Sequence, residues 1–253
     1  MRLTVLGSGT SVPRPDRGSP GYVVEGGGRV IMLDLGPGSL RQLTAAGYAH
    51  DRVDAVSVSH FHPDHCADLI HFLFAAKYGP GYARARPVRM IGPTGLIALH
   101  RALVQAFGHW MEPEPGTVEW IEISPKNQQP IEVEDVKLRP GPADHIPGAL
   151  AWRVEADDRT LVYTGDTDFS TDLIGLARGA DLLLIEAACP EGRKTPGHLM
   201  PSEAARIAAQ AGVGRLLLTH FYPECDPQEA VAGAQKYYDG PVAAASDLMV
   251  VEV

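Results

Sequence analysis

The segment His60-Phe61-His62-Pro63-Asp64-His65 places three imidazoles and a carboxylate within six residues. These side chains are the usual ligands of zinc-class divalent cations. His60 and His62 are two apart, so in an extended segment their rings project to the same side. Pro63 interrupts regular pairing and turns the chain, which lets Asp64 and His65 face a second point nearby. The spacing suits two metals sharing one loop better than one closed tetrahedral site. A solvated histidine-rich turn is the plain alternative, and the further histidines and aspartates taken up below weigh against it.

The rest of the chain has to position these groups. Of its 253 residues, 45% are apolar and 21% charged, an ordinary globular composition that excludes an intrinsically disordered chain. The length can bury a large core without staples. No linker interrupts it, so one domain over residues 1–253 is expected. Gly 27 and Pro 21 imply many defined turns. Lys+Arg 22 against Asp+Glu 31 gives a net charge of −9, which argues against non-specific nucleic-acid binding. Cys66, Cys189 and Cys225 are odd in number and far apart, forming neither a disulfide framework nor a CxxC knuckle. The opening apolar stretch Leu3-Thr4-Val5-Leu6 is too short for a signal-peptide core. No run approaches the roughly 18 apolar residues of a membrane span. The expected compartment is the cytoplasm, with no membrane partner.

Strands are expected at 2–6, at 22–25 and 30–33 as a hairpin around Gly26-Gly27-Gly28, and at 53–59, 88–91, 161–164, 182–185, 216–219, 242–245 and 249–253, with a strand-rich stretch from Val118 to Ala156. Helices are expected at 40–46, 68–77, 95–107, 173–178, 202–211 with Ser202 as N-cap, and 229–237. Strands followed by alternating strand and helix in each half suggest a layered α/β architecture with helices outside packed sheets. His60, Asp166 and His220 each follow an apolar strand, and His145 lies in a loop between two others. Strand ends and their loops are where ligands collect in such folds.

In this setting the chain resembles the metallo-β-lactamase-fold hydrolases, whose hallmark is HxHxDH. The resemblance covers nearly the whole chain. It takes in Leu6-Gly7-Ser8-Gly9-Thr10, Leu33-Asp34-Leu35-Gly36-Pro37-Gly38, His145, Thr164-Gly165-Asp166-Thr167 and Leu218-Thr219-His220. It implies a four-layer αββα sandwich. It also implies that His60, His62 and His145 hold one metal, that Asp64, His65 and His220 hold the other, and that Asp166 bridges them. Two Zn2+ ions are the implied cofactors, with Mn2+ as the alternative. Asp34 and Asp247 match positions behind the ligands, or are simple turn-forming aspartates.

Gly197-His198-Leu199-Met200, the Glu203-to-Ala208 helix after it and Ile185-Glu186-Ala187-Ala188 before it are similar to the ribonuclease Z-like branch of phosphodiesterases. That resemblance makes His198 a general acid and Glu186 its partner, so that catalysis falls to Asp64, His198 and Glu186. A carboxylate on one ring nitrogen would raise the histidine pKa and keep it protonated. The flanks depart from the pattern: Ile-Glu-Ala-Ala replaces His-Glu-Ala-Thr, and His-Leu-Met replaces His-Ser-Thr. The long tRNA-gripping arm of ribonuclease Z is also missing, because only about twenty residues separate His145 from Asp166. Arg17 matches a family position where it can meet a phosphate, a solvated role being the alternative. Tyr222 and Glu224 can line the pocket.

The function expected is that of a dinuclear-metal-dependent hydrolase of small or cyclic phosphodiesters, acting through a metal-bridging hydroxide. The partner expected is a small anionic substrate rather than a long nucleic acid, and the resemblance adds a homodimer. Alternatives are a lactonase, β-lactamase or thioesterase of the same fold, and a metal-binding sensor or interaction protein with little turnover. Gly7-Ser8-Gly9-Thr10 is not a P-loop, since no Gly-Lys-Ser/Thr follows. Cys66 reads as a small packing residue, and His50, His71, His100 and His109 carry no motif.

Overall fold

Strands buried on both faces read as continuous apolar runs, with successive side chains entering different cores. Leu182-Leu183-Leu184-Ile185 and Leu216-Leu217-Leu218 behave in this way. Leu182, Leu184 and Leu217 pack between two sheets, whereas Leu183, Ile185, Leu216 and Leu218 pack against outer helices. The computed structural model describes residues 1–78, 86–124, 126 and 129–253. Residues 125, 127 and 128 of the strand-rich stretch therefore lie outside the described residues.

The elements of the first half are β1 (Arg2–Gly7), β2 (Gly21–Gly26), β3 (Arg29–Leu35), α1 (Ser39–Ala45), β4 (Ala55–Ser57), α2 (Pro63–Cys66), α3 (Leu69–Tyr78), β5 (Val88–Pro93), α4 (Leu96–Phe107) and β6 (Val118–Ile123). Those of the second half are β7 (Ile131–Val133), β8 (Val136–Pro142), β9 (Leu150–Ala156), β10 (Arg159–Tyr163), α5 (Thr171–Ala177), β11 (Leu182–Glu186), α6 (Pro201–Ala211), β12 (Leu216–Thr219), α7 (Pro227–Ala234), β13 (Val242–Ala244) and β14 (Val250–Glu252).

One sheet runs β14-β1-β2-β3-β4-β5-β6 and the other β13-β12-β11-β10-β9-β8-β7. In each, an antiparallel block (β14 to β3; β7 to β10) passes into a parallel one (β3 to β6; β10 to β13). The core between the sheets includes Leu3, Tyr22, Leu33, Trp152 and Tyr163. A second core lies under α5, α6 and α7, and a third under α1, α3 and α4. This is the expected αββα sandwich, a metallo-β-lactamase fold. The last strand returns to the first, and the Val253 N–H donates to the Met1 carbonyl at 2.9 Å.

Several boundaries differ from the sequence expectations. The strand expected at 53–59 pairs only over Ala55–Ser57. Past it, the Ser59 carbonyl accepts from the Leu150 N–H of the opposite sheet at 2.9 Å, so the chain leaves the ladder just before His60. Ser202 is not the N-cap of α6. Met200 holds that position, Pro201 opens the helix, and Glu203 reaches back to the Met200 N–H at 2.9 Å. Ser202 instead hydrogen-bonds Glu191 through both its N–H and its hydroxyl. Helix α7 begins two residues earlier than expected because Asp226 caps it from the Gln228 and Glu229 N–H groups. Helix α5 likewise begins two residues early, capped by Ser170.

Candidate metal centre

The residues of the expected ligand set sit just beyond strand ends, in the following loops or, for Asp64 and His65, on the short helix α2. His60 follows β4, and His62 is the extended residue before the single turn of α2, which Pro63 opens and which carries Asp64 and His65. His145 lies between β8 and β9, Asp166 follows β10, and His220 follows β12 with a left-handed φ of 59°. The structure brings them together. Candidate ligand atoms of His60, His62, His145 and Asp166 lie within 4.8 Å of one another, and so do those of Asp64, His65 and His220. Asp166 faces both groups. Its Oδ2 is 3.8 Å from Nε2 of His60 and of His145, while its Oδ1 is 3.2 Å from Nε2 of His65 and 3.3 Å from Nε2 of His220.

The donor set fits a cation on two observations. Nε2 of His60 and Oδ1 of Asp166 are buried without a hydrogen-bond partner, a condition folded proteins rarely leave uncompensated. Ring nitrogens also face each other at 3.1 Å (His145 Nε2 to His62 Nδ1) and 3.3 Å (His65 Nε2 to His220 Nε2). Tetrahedral ligands bonded at about 2.1 Å stand about 3.4 Å apart.

On His60, His65 and His145 the opposite ring nitrogen is held by a partner that fixes tautomer and orientation. His65 Nδ1–H donates to Asp34 at 2.7 Å, and His145 Nδ1–H to the Gly197 carbonyl at 2.9 Å. His60 Nδ1–H donates to Ser59 Oγ at 3.0 Å, and that hydroxyl donates onward to Asp34 at 2.7 Å. Asp34 is fully buried and also accepts from the Ser59 N–H and the Tyr163 hydroxyl, each at 2.6 Å. Asp34 thus stands behind the ligands. Asp247 does not: it accepts from the Ser8 N–H and hydroxyl and the Gly18 N–H, tying together the loops after β1.

Burial, helped by the neighbouring His65, pushes the His60 pKa down to about 2 and keeps that ring neutral. Burial likewise lowers His145. For Asp166 burial opposes ionisation, but His220 and His65 outweigh it and hold the carboxyl well below its usual range. His65 is the opposite case. Burial disfavours its charge, yet Asp166 and Asp34 hold its pKa well above the ordinary value. Neutral imidazoles and ionised carboxylates are the forms a cation needs, and occupation at His65 would release a proton.

His198 sits beside this cluster, its ring 5.0 Å from that of His145 and 5.8 Å from that of His220. Asp166, His198 and His220 form a third grouping of donors. His198 Nδ1–H donates to Glu186 at 3.0 Å. Burial works against charge on the ring, but the hydrogen bond and charge of Glu186 raise its pKa above the ordinary value. The Tyr222 ring stands edge-on to His198 and His220 at 5.8 and 6.1 Å. Glu224 is exposed. The Arg17 guanidinium donates to Ser8 Oγ and the Ala245 carbonyl and lies 5.0 Å from the ring centre of Phe221, the residue after His220. Cys66 is buried as expected. His100 stacks on Trp120, and the His109 ring lies tilted against Trp110.

Sequence reasoning missed Ser59, Tyr163 and the Gly197 carbonyl. Ser59 adjoins His60 and was open to suspicion on that ground. Tyr163 carried only the signal of a polar tip at the end of an apolar strand. Gly197 has φ 83°, and a Cβ there would meet His145 Nδ1 at 2.9 Å, so glycine is required.

Two stacked mixed sheets, outer helices and a histidine–aspartate cluster at the strand ends define a metallo-hydrolase of the metallo-β-lactamase fold. The chain matches the sequence profile of the Beta-lactamase superfamily domain over residues 29–221. A Ribonuclease Z of Mycobacterium bovis (strain BCG / Pasteur 1173P2) is 32% identical over 275 residues, covering 100% of this chain and 98% of the relative. Among solved structures, the metallo-beta-lactamase fold protein YhfI from Bacillus subtilis has a TM-score of 0.86 at 26% identity, covering 100% of this chain and 99% of its own. The human short-form tRNase Z has a TM-score of 0.81 at 22% identity, with 100% and 99% covered. The chain belongs to the β-lactamase superfamily and, within it, to the ribonuclease Z-like branch.

Proposed function

We propose that the protein is a phosphodiesterase that hydrolyses small or cyclic phosphodiesters and binds two divalent cations, Zn2+ in the first place. His60, His62 and His145 would hold one cation, Asp64, His65 and His220 the other, with Asp166 between them. The observation that carries the reading is the Glu186–His198 pair beside a carboxylate that faces both ligand groups. When bound, such cations supply Lewis acidity and water of lowered pKa. His198 donates its proton to the departing oxygen, and Glu186 keeps that proton on the ring and aims it. Tyr222 walls the pocket.

Small substrates are favoured by the turn between β9 and β10. Asp157 and Asp158, both at left-handed φ (53° and 55°), close this hairpin tightly where an arm would emerge. The net charge of −9 also discourages a long polyanion. The aligned length of 275 exceeds the chain's 253 residues, so the mycobacterial relative carries residues this chain lacks. A homodimer suits the exposed Phe74, Tyr78, Phe107 and Trp110, large apolar side chains of the kind an interface covers. A reducing cytoplasm suits the three buried free thiols, and no helix among the described residues is long and apolar enough to cross a membrane.

The test is metal analysis with a substrate panel on the metal-loaded protein: bis(4-nitrophenyl) phosphate, a 2′,3′-cyclic nucleotide, a precursor tRNA, a lactone and a β-lactam. The expected result is near two metals per chain and turnover of the first two. Turnover confined to the lactone or β-lactam sinks the phosphodiester reading, and efficient cleavage of the precursor tRNA sinks the small-substrate one.

A further inference from the structure

His198 is carried on the segment between β11 and α6, whose residues 191–196 are all exposed. A ring on such a loop needs anchors on both sides to keep one position. Upstream, the Gly197 N–H donates to Asp168 Oδ2 at 3.1 Å, and its carbonyl accepts from His145. Downstream, the Met200 N–H donates to Glu203 Oε2 at 2.9 Å. The two anchoring carboxylates share one cation: Lys194 Nζ donates to Asp168 Oδ1 and to Glu203 Oε2, each at 2.6 Å. Asp168 also accepts from the Phe169 N–H at 2.7 Å, and its own N–H donates to the Asp144 carbonyl beside His145.

We propose that Lys194 is a positioning residue for His198, closing a charged clamp between Asp168 and Glu203 that grips the chain on either side of the proton donor. The proposal rests on the reading of His198 as that donor. Two oxygens each 2.6 Å from one nitrogen cannot stand more than about 5 Å apart. Without the ammonium, the anchors become two close like charges that repel. Loss of Lys194 therefore does more than remove two hydrogen bonds: it drives the two sides of the His198 loop apart. The arginine fork can reach two carboxylates at once, so arginine replaces lysine here where an uncharged chain cannot. Burial disfavours the ammonium, but the hydrogen bonds and charges of Asp168 and Glu203 together outweigh it and keep its pKa above the ordinary value.

The clamp is tested through the leaving group, because a proton donor matters more when the departing oxygen is a poor one. The readout is the ratio of kcat for diphenyl phosphate to kcat for bis(4-nitrophenyl) phosphate, measured on metal-loaded protein of verified metal content. His198→Ala is expected to lower the ratio roughly a hundredfold, and Lys194→Met about tenfold, as a modest misplacement does. Lys194→Arg should return it to within about twofold of the parent, and Lys194→Met with Glu203→Gln should recover part of it by removing the repulsion. Amide hydrogen exchange at Gly197 and Met200 should quicken in Lys194→Met by roughly tenfold in parallel.

A ratio that collapses in His198→Ala but holds in Lys194→Met overturns the clamp and leaves the donor reading standing. A ratio unmoved in His198→Ala overturns the donor reading and the clamp with it. A KM raised equally for both esters, with no change in ratio or exchange, assigns Lys194 to substrate contact and overturns positioning. If Lys194→Met fails to fold, Glu203→Gln alone decides, since glutamine keeps the capping bond while discharging one arm. A lowered ratio supports the clamp, and a parental one overturns it. If neither ester turns over, the phosphodiester reading fails and unchanged exchange at Gly197 overturns the clamp independently.

Discussion

Glu186 is buried completely, and its carboxylate accepts from the Thr167, Ala188 and Leu199 N–H groups and from His198. Three backbone donors fix the carboxylate, and the carboxylate fixes the ring. The consequence for pH can be signed. As the proposed proton donor, His198 must be protonated, and its pKa lies above the ordinary histidine value, so activity should persist below that pKa and be lost as pH rises through it. Glu186→Gln keeps the shape but removes the charge, leaving burial to dominate and lower the His198 pKa. The alkaline limb of kcat should then move to lower pH, with metal content unchanged. An unmoved limb in a pH–rate profile contradicts the pairing. At this scale the sequence was most readable where chemistry is contiguous. His60 to His65 announces itself in six letters. His145, Asp166 and His220 are unremarkable one by one and needed a family pattern to be linked. Asp168, Lys194 and Glu203 gave no sign, because their meaning arises only when three separate segments meet.

The turn after β3 shows how an element aims a ligand. Near the end of β3 the pairing with β2 shifts register at Asp34, whose φ is 56°, and beyond Leu35 the chain passes so close to α2 that a Cβ on Gly36 would lie 1.9 Å from the Asp64 carbonyl oxygen. No side chain fits that gap, so the glycine sets the distance between β3 and the helix bearing Asp64 and His65. Gly36→Ala should destabilise the fold by about 1–3 kcal/mol, as overpacking does, and should weaken metal binding as α2 shifts. Thermal unfolding and competition with a chromogenic chelator measure the two effects, and a parental result in both contradicts the close approach. Strand and helix identities were legible from apolar periodicity. Their ends were not, as Ser202 shows: its local sequence looks like a cap, but Pro201 and Glu203 together define an earlier start, and the Ser202 side chain is engaged by Glu191.

For the molecule as a whole, the two ligand groups are split between the sheets. His60, His62, Asp64 and His65 hang from the first, and His145, Asp166 and His220 from the second. Each proposed cation therefore joins both sheets and stabilises the stack as a ligand of the native state. Stripping the metal with a chelator should lower Tm, by roughly 10 °C for occupancy at a thousandfold excess over Kd, and readdition should restore it. Acid should have the same effect as protons displace the cations from the rings. An unchanged Tm with metal fully removed contradicts the cross-link. The layered fold was readable from the order of elements, whereas the return of β14 to β1 was not, since nothing in a short apolar strand names its neighbour. That return brings Met1 and Val253 to within one hydrogen bond of each other, so the backbone is nearly an unbroken loop. A short Gly-Ser splice across these two residues, with a new opening between the exposed Pro115 and Gly116, should give a circular permutant that keeps the metal centre. The order in which the strands are made would change, and the place where they meet would not.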